Sequence, residues 1–152
     1  MKNIKMVFSD VDNTLVTVTN PFSETLKTAI KLMNNNEIEF VMCSGRPTKN
    51  LINVANDMIS SGLNLNYVVG FNGSQVYDLN AKEIIVNNYL EQEHVEVITE
   101  VLESLNIDYL TYFGDDIFAS NPDNEYAIHE KKLTELNLEQ LVVKKPSPKV
   151  LG

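Results

Sequence analysis

Cysteine is almost absent from this chain. Cys43 is the single one in 152 residues, which excludes an internal disulfide framework. Basic residues are also scarce. There are 12 Lys and Arg against 21 Asp and Glu, for a formal net charge of −9. A protein that grips a phosphate backbone usually carries a basic face, so nucleic acid is not an expected partner. No apolar run approaches the roughly 20 residues of a membrane span, so no membrane partner is expected either. The start of the chain does not read as a signal peptide. Met1 to Lys5 leads into a short apolar stretch that soon meets the acid Asp10. The expectation is a soluble cytoplasmic protein, in which the sequon Asn72-Gly73-Ser74 has no glycosylation role. There is no internal repeat and no low-complexity linker.

Hydrophobic residues make up 43% of the chain, enough for a real core and too many for a disordered tail. The charge is unevenly spread. Residues 1–76 hold six acids and six bases, whereas residues 77–152 hold fifteen acids and six bases. The near-neutral first half does not repel an anionic substrate.

The first half alternates buried strands with amphipathic helices. Ile4 to Phe8 reads as a strand ending at Ser9-Asp10. Asn20-Pro21 reads as a helix start, followed by Phe22, Leu26, Ile30 and Met33 on one face, with a break at Asn34-Asn35-Asn36. Ile38 to Cys43 is a second strand. Pro47 opens a second helix, with Leu51, Ile52, Ala55, Met58 and Ile59 inward and Gly62 closing it. Tyr67 to Phe71 is a third strand. This β-α-β-α-β order predicts an α/β fold with a Rossmann-like, doubly wound parallel sheet. Ligands of such sheets sit at the carboxyl ends of the strands. Those ends carry Asp10, Ser44 and Asn72.

The second half predicts a hairpin of Gln75–Asp78 with Glu83–Val86. A helix follows over Glu91–Leu105, with Val95, Ile98, Val101, Leu102 and Leu105 inward. A second hairpin, Tyr109–Phe113 with Ile117–Ser120, turns at Gly114-Asp115-Asp116. After the loop Asn121–Asn124 the pattern weakens. Val142-Val143 and Val150-Leu151 read as strand ends.

Ser9-Asp10-Val11-Asp12-Asn13-Thr14-Leu15 is the most informative stretch. Two carboxylates two residues apart share one face of an extended backbone. Such a pair suits a nucleophile beside a proton carrier, or a divalent cation with oxygen ligands. Two solvated loop acids would look the same. Ser44-Gly45-Arg46-Pro47 combines a hydroxyl, backbone amides at a helix N-terminus and a guanidinium, which together suit an anion. From these residues alone a simple Ser cap is the commoner reading. Asn72-Gly73 also matches a tight turn.

Taken together, these motifs resemble the haloacid dehalogenase superfamily of phosphohydrolases. The likeness is to the Cof-type, sugar-phosphatase-like branch with an α/β cap inserted after the third strand. The resemblance runs along the whole chain. Asn13 stands where the family usually has Gly, and Asn tolerates left-handed backbone. The resemblance implies roles. Asp10 is the nucleophile that forms an aspartyl-phosphate, and Asp12 is the general acid and base. Thr14 and Ser44 bind phosphate oxygens, with Gly45 in the same loop, and Arg46 and Asn72 line the substrate side. Mg²⁺ is held by Asp10 and the backbone carbonyl of Asp12. The implied substrate is a small phosphorylated metabolite, such as a sugar phosphate. Residues 1–88 correspond to the N-terminal part of the core, and residues 89–152 to part of the cap.

One departure is large. The family needs a later Lys and a later acidic metal motif, and this chain reaches Gly152 before either. Gly114-Asp115-Asp116 lies inside the cap hairpin, out of chain order for that motif. Lys149 lies in an expected cap strand and is not a substitute for the Lys. The chain therefore reads as the front half of an enzyme, truncated, with weak or absent turnover of its own. The missing strands would flank the first strand, so its apolar edge is expected to drive self-association. A rival from another class is a non-catalytic remnant that binds phosphate or a partner. A phosphoacceptor receiver domain would need an Asp where Asn72 stands. His94 and His129 read as surface residues, Cys43 as a small core residue, and Tyr109, Tyr112 and Phe113 as cap core or a substrate wall.

Overall fold

Three apolar runs of the first half become three neighbouring strands. In the computed structural model, which describes residues 4–15, 22–114 and 116–152, they are β1 (Met6–Asp10), β2 (Glu39–Cys43) and β3 (Tyr67–Gly70). β1 pairs parallel with β2, and β2 with β3. The register sets Asp10 opposite Cys43 and Cys43 opposite Val69. The carboxyl ends of all three strands are thereby level. Two further strands extend the sheet, β4 (Gln75–Asp78) antiparallel to β3, and then β5 (Glu83–Asn87), giving the order β1-β2-β3-β4-β5.

Two helices connect the parallel strands, α1 (Glu24–Asn35) and α2 (Thr48–Ser60). Ser23 caps α1, its Oγ accepting from the Leu26 amide at 3.1 Å, and Glu24 sits in the first turn, where the helix dipole favours an acid. The expected start at Asn20-Pro21 lies outside the described residues. Pro47 precedes α2, its fixed φ suiting a helix start. Ile30 of α1 and Leu51, Ala55 and Met58 of α2 join Val7, Phe40, Met42 and Val68 in one cluster. Both helices therefore cover the same sheet face. The strands advance in one direction, and right-handed crossovers then put successive helices on one side. Each fully buried large residue here contributes about 1.5–3 kcal/mol. Ile59, expected inward, is exposed. It is one residue past Met58, and a helix turns about 100° per residue.

Two features of this sheet bear on function. β1 is an edge strand whose outward residues Met6 and Phe8 are 42% and 60% exposed, with Ile4 just before it 63% exposed. β3 stops at Gly70, one residue short of the expected end. Phe71–Gly73 form a single 3-10 turn instead, with Phe71 and Asn72 at φ 49° and 56°.

Contacts divide the chain into two compact units, Met1–Val86 and Asn87–Gly152. The second has its own sheet, built from β6 (Leu110–Phe113), β7 (Asp116–Ala119), β8 (Asn137–Gln140) and β9 (Val150–Leu151) in the order β8-β7-β6-β9. β6 is antiparallel to β7 and β9, while β7 and β8 are parallel. Its helices are α3 (Gln92–Ser104) and α4 (Glu125–Thr134).

Several expectations are corrected here. α3 buries Val95 and Thr99, while Ile98, Val101 and Leu105 are exposed. Thr99 can face inward because its hydroxyl donates to the Val95 carbonyl at 2.8 Å. α4 and β8 carried no legible pattern. The buried residues of α4 are the small or polar Ala127 and Thr134, and β8 is Asn-Leu-Glu-Gln. What does mark α4 is Asn124, whose Oδ1 accepts from the Tyr126 amide at 2.8 Å. Val142 and Val143 are exposed and lie in no strand. Asp115 of the hairpin turn lies outside the described residues.

Candidate active site

The site is assembled from the level ends of β1, β2 and β3. After Asp10 the backbone leaves the sheet in a tight turn, with the Thr14 and Leu15 amides donating to the Val11 carbonyl at 3.3 and 2.9 Å. Asn13 takes φ 59° in this turn, a conformation that Asn tolerates better than most residues. The turn brings Thr14 back over the strand end, where its hydroxyl donates to Asp10 Oδ2 at 3.2 Å.

Asp12 is gripped from the next strand. Arg46 Nη2 donates to Asp12 Oδ1 at 2.5 Å, and Arg46 Nε to Oδ2 at 3.0 Å, a two-pronged pair. Ser44 Oγ donates to Asp12 Oδ2 at 3.3 Å and accepts from the Arg46 amide at 3.1 Å. Hydrogen bonding from Arg46 is the main reason the Asp12 carboxyl is held below its usual range. Partial burial opposes this, and the Arg46 charge and the Ser44 hydroxyl add to it. The pair remains half open to water, with side chains 47% and 35% exposed.

Asn72 comes from the third strand end, and backbone bonds lace its turn to the β2 loop. The Phe71 amide donates to the Arg46 carbonyl at 2.9 Å, and the Asn72 amide to the Ser44 carbonyl at 3.1 Å. Gly45 allows this approach, because a Cβ there would lie 2.8 Å from Asn72 Oδ1. An open pocket of about 490 Å³ is lined by Asp10, Ser44, Gly45 and Asn72, with Phe8 and Cys43 among its walls. Burial pushes the Cys43 thiol up, and the Asp10 charge adds to that.

The seven residues singled out from the sequence thus divide by contact. Asp10, Ser44, Gly45 and Asn72 line the pocket, while Asp12, Thr14 and Arg46 join them through hydrogen bonds. The two oxygen donors expected from the resemblance, the Asp10 carboxylate and the Asp12 carbonyl, belong to residues two apart at the end of β1. Among the described residues no group of three or more His, Cys, Asp and Glu could enclose a metal. Two donors still fit Mg²⁺, which binds through one or two carboxylates and takes its other ligands from water and substrate phosphate.

The remaining candidates lie elsewhere. Lys149 is nearly buried within the second unit, 3.9 Å from Glu130 and 4.8 Å above the Tyr112 ring. Glu130 also accepts from the Tyr112 hydroxyl at 2.6 Å. His94 and His129 are exposed. Among the described residues no helix is long and apolar enough to cross a membrane.

Comparison with known proteins bears on the family and the fold. The family model described as haloacid dehalogenase-like hydrolase matches residues 7–149. A putative phosphatase of Haemophilus influenzae is 26% identical over 136 residues, covering 88% of this chain and 50% of the relative. A haloacid dehalogenase-like hydrolase of Bacteroides thetaiotaomicron has a similar fold, with TM-score 0.71 and 24% identity over 93% of this chain and 53% of that one. A structure described as a subclass IIB sugar phosphatase of the superfamily gives TM-score 0.70 and 21% identity, covering 93% of this chain and 56% of that one. The chain therefore spans about half the length of the relatives it matches.

Proposed function

Because this chain belongs to the haloacid dehalogenase-like hydrolases, we propose that it supplies the nucleophile end of a Mg²⁺-dependent phosphatase. Its substrate is a small phosphate monoester, a sugar phosphate or a similar metabolite. One observation carries the reading. Two carboxylates at the end of β1 are met by two hydroxyls and a guanidinium, Thr14 on Asp10 and Ser44 with Arg46 on Asp12.

In this reading the Asp10 carboxylate attacks phosphorus, and the ester oxygen leaves as an aspartyl-phosphate forms. Arg46 holds Asp12 ionised here, so in this reading substrate draws Arg46 away and Asp12 takes up a proton. It gives that proton to the leaving oxygen, then takes one from the water that splits the acyl phosphate. Thr14, Ser44 and Gly45 hold the phosphoryl oxygens. Arg46 and Asn72 face the rest of the substrate. Bound Mg²⁺, held by Asp10 and the Asp12 carbonyl, supplies neutralisation of phosphoryl charge. Residues 1–88 act as part of the core and residues 89–152 as part of a Cof-type cap that selects the substrate. The protein works in the cytoplasm. The exposed edge of β1 is a surface for self-association.

The test is hydrolysis of p-nitrophenyl phosphate with Mg²⁺, alongside inorganic phosphate titration followed by amide NMR. The expected result is a slow rate that Asp10→Asn abolishes, with phosphate shifting the amides of Thr14, Ser44 and Gly45. A rate that Asp10→Asn leaves unchanged overturns the reading. Phosphate binding without turnover makes the chain a phosphate-holding module.

A further inference from the structure

Thr48 and Gln75 form a polar pair inside the first unit, and both residues are 5% exposed. Thr48 Oγ1 donates to Gln75 Oε1 at 2.6 Å, across 27 residues of sequence. Neither residue stood out in the sequence. Thr48 is the first residue of α2, directly after Ser44-Gly45-Arg46-Pro47. Gln75 is the first residue of β4, directly after Phe71–Gly73 and Ser74. A Thr hydroxyl at a helix start commonly bonds its own helix. Here α2 has no side-chain cap bond, and the hydroxyl reaches to the neighbouring segment instead.

The backbones come equally close at this point. A Cβ at Gly70 would lie 2.9 Å from Thr48 Cα and 3.0 Å from Thr48 N. Only a residue without a side chain lets the end of β3 rest on the start of α2. The Phe71 and Asn72 amide bonds to Arg46 and Ser44 lie on the site side of the same contact. The Arg46 loop and the Asn72 turn are therefore joined by backbone bonds near the site and by a buried side-chain strut behind it. A fully satisfied buried polar pair rigidifies the elements it joins, because any other geometry leaves two polar groups unmet in a low dielectric.

We propose that Thr48 and Gln75 are positioning residues, which set the separation of Arg46 from Asn72 and so the width of the anion site. The proposal rests on the phosphatase reading for its function and on the strut itself for its geometry. Thr48→Val keeps the shape and removes the donor. Gln75→Met keeps the length and removes the acceptor. Thr48→Ser keeps the donor and serves as the rescue.

Two measurements on the full chain separate the claims. The first is amide hydrogen exchange at Phe71 and Asn72, with Met42 and Val68 in the sheet as the internal reference. In Thr48→Val and in Gln75→Met, protection at Phe71 and Asn72 is expected to fall about tenfold or more, the scale of a buried bond lost. Met42 and Val68 hold, and Thr48→Ser behaves as the parent. Equal losses at all four amides, or no loss at any, overturn the proposal. The second is inorganic phosphate binding by amide NMR. Affinity is expected to weaken about tenfold in both variants and to recover in Thr48→Ser. Unchanged affinity in a chain whose loops have loosened also overturns it. A parent chain that binds no phosphate refutes the phosphatase reading, while the exchange comparison still decides whether the strut couples the two loops.

Discussion

The Arg46–Asp12 pair offers a prediction whose size and sign both follow from its surroundings. The perturbation is a double-mutant cycle of Arg46→Met, Asp12→Asn and the pair of them. The geometry is favourable, with two prongs at 2.5 and 3.0 Å. Exposure works the other way, because side chains 35% and 47% open to water keep the pair screened. Exposed pairs are worth about 0.2–1 kcal/mol, and the two-pronged fork puts this one near the top of that range, at about 1 kcal/mol. A fully buried pair would cost about 3–5 kcal/mol to break by removing one partner. The sign with pH follows from the lowered Asp12 carboxyl. A group whose folded pKa lies below its unfolded one contributes its stability above the unfolded value of 3.8. That contribution is lost as pH falls through the folded value. The coupling is therefore expected in full at neutral pH and to shrink in acid below the ordinary carboxylate range. Urea unfolding followed by circular dichroism measures the coupling, and carboxyl NMR of Asp12 measures the titration, which moves upward in Arg46→Met. A coupling above about 3 kcal/mol, or an Asp12 titration indifferent to Arg46, would refute the reasoning.

Other predictions test the core, the second unit and the edge. Leu51→Ala is expected to cost about 2–5 kcal/mol in urea unfolding, because Leu51 is fully buried in the cluster under the sheet. Tyr112→Phe removes the hydroxyl donated to Glu130 and is expected to destabilise by about 1–3 kcal/mol, read from the melt of the second unit. The Tyr109 hydroxyl, buried and bonded to Glu103 at 2.5 Å, is pushed up to about 12. Its stabilisation is therefore present below the ordinary tyrosine value of 10.0 and lost as pH rises through about 12. Ultraviolet titration should show a tyrosine that ionises late. Phe8→Lys on β1 is expected to reduce self-association in sedimentation, since a charge on an edge strand opposes pairing. A parent chain that already sediments as a clean monomer would count against that edge as a contact.

Legibility in the sequence followed burial and chain order. The strands β1, β2 and β3 could be read because each is a short apolar run closed by a polar turn, and the residues at their ends are local in sequence. Asp10, Ser44 and Asn72 needed no coordinates to be put on one edge, because a parallel α/β sheet levels its strand ends. α4 and β8 were illegible because α4 buries only Ala127 and Thr134 and β8 only half-buries Leu138, so no broad apolar stripe and neither period emerges. α3 was legible as a helix but not in its facing. Thr99 turns inward on a bond to its own helix, a solution invisible to a hydrophobic pattern.

The sequence by itself determined the α/β class, the two carboxylates two residues apart and the hydroxyl-glycine-arginine loop, since each depends on neighbours along the chain. Its single cysteine likewise excluded an internal disulfide. Only the tertiary structure decided that Arg46 and Ser44 close on Asp12 while Thr14 closes on Asp10, that β1 is left as an edge, and that Thr48 meets Gln75. Apart from the local Thr14–Asp10 contact, those outcomes depend on distances between segments about thirty residues apart. The strand register and the missing Cβ atoms of Gly45 and Gly70 set such distances, and neither is written in any local pattern.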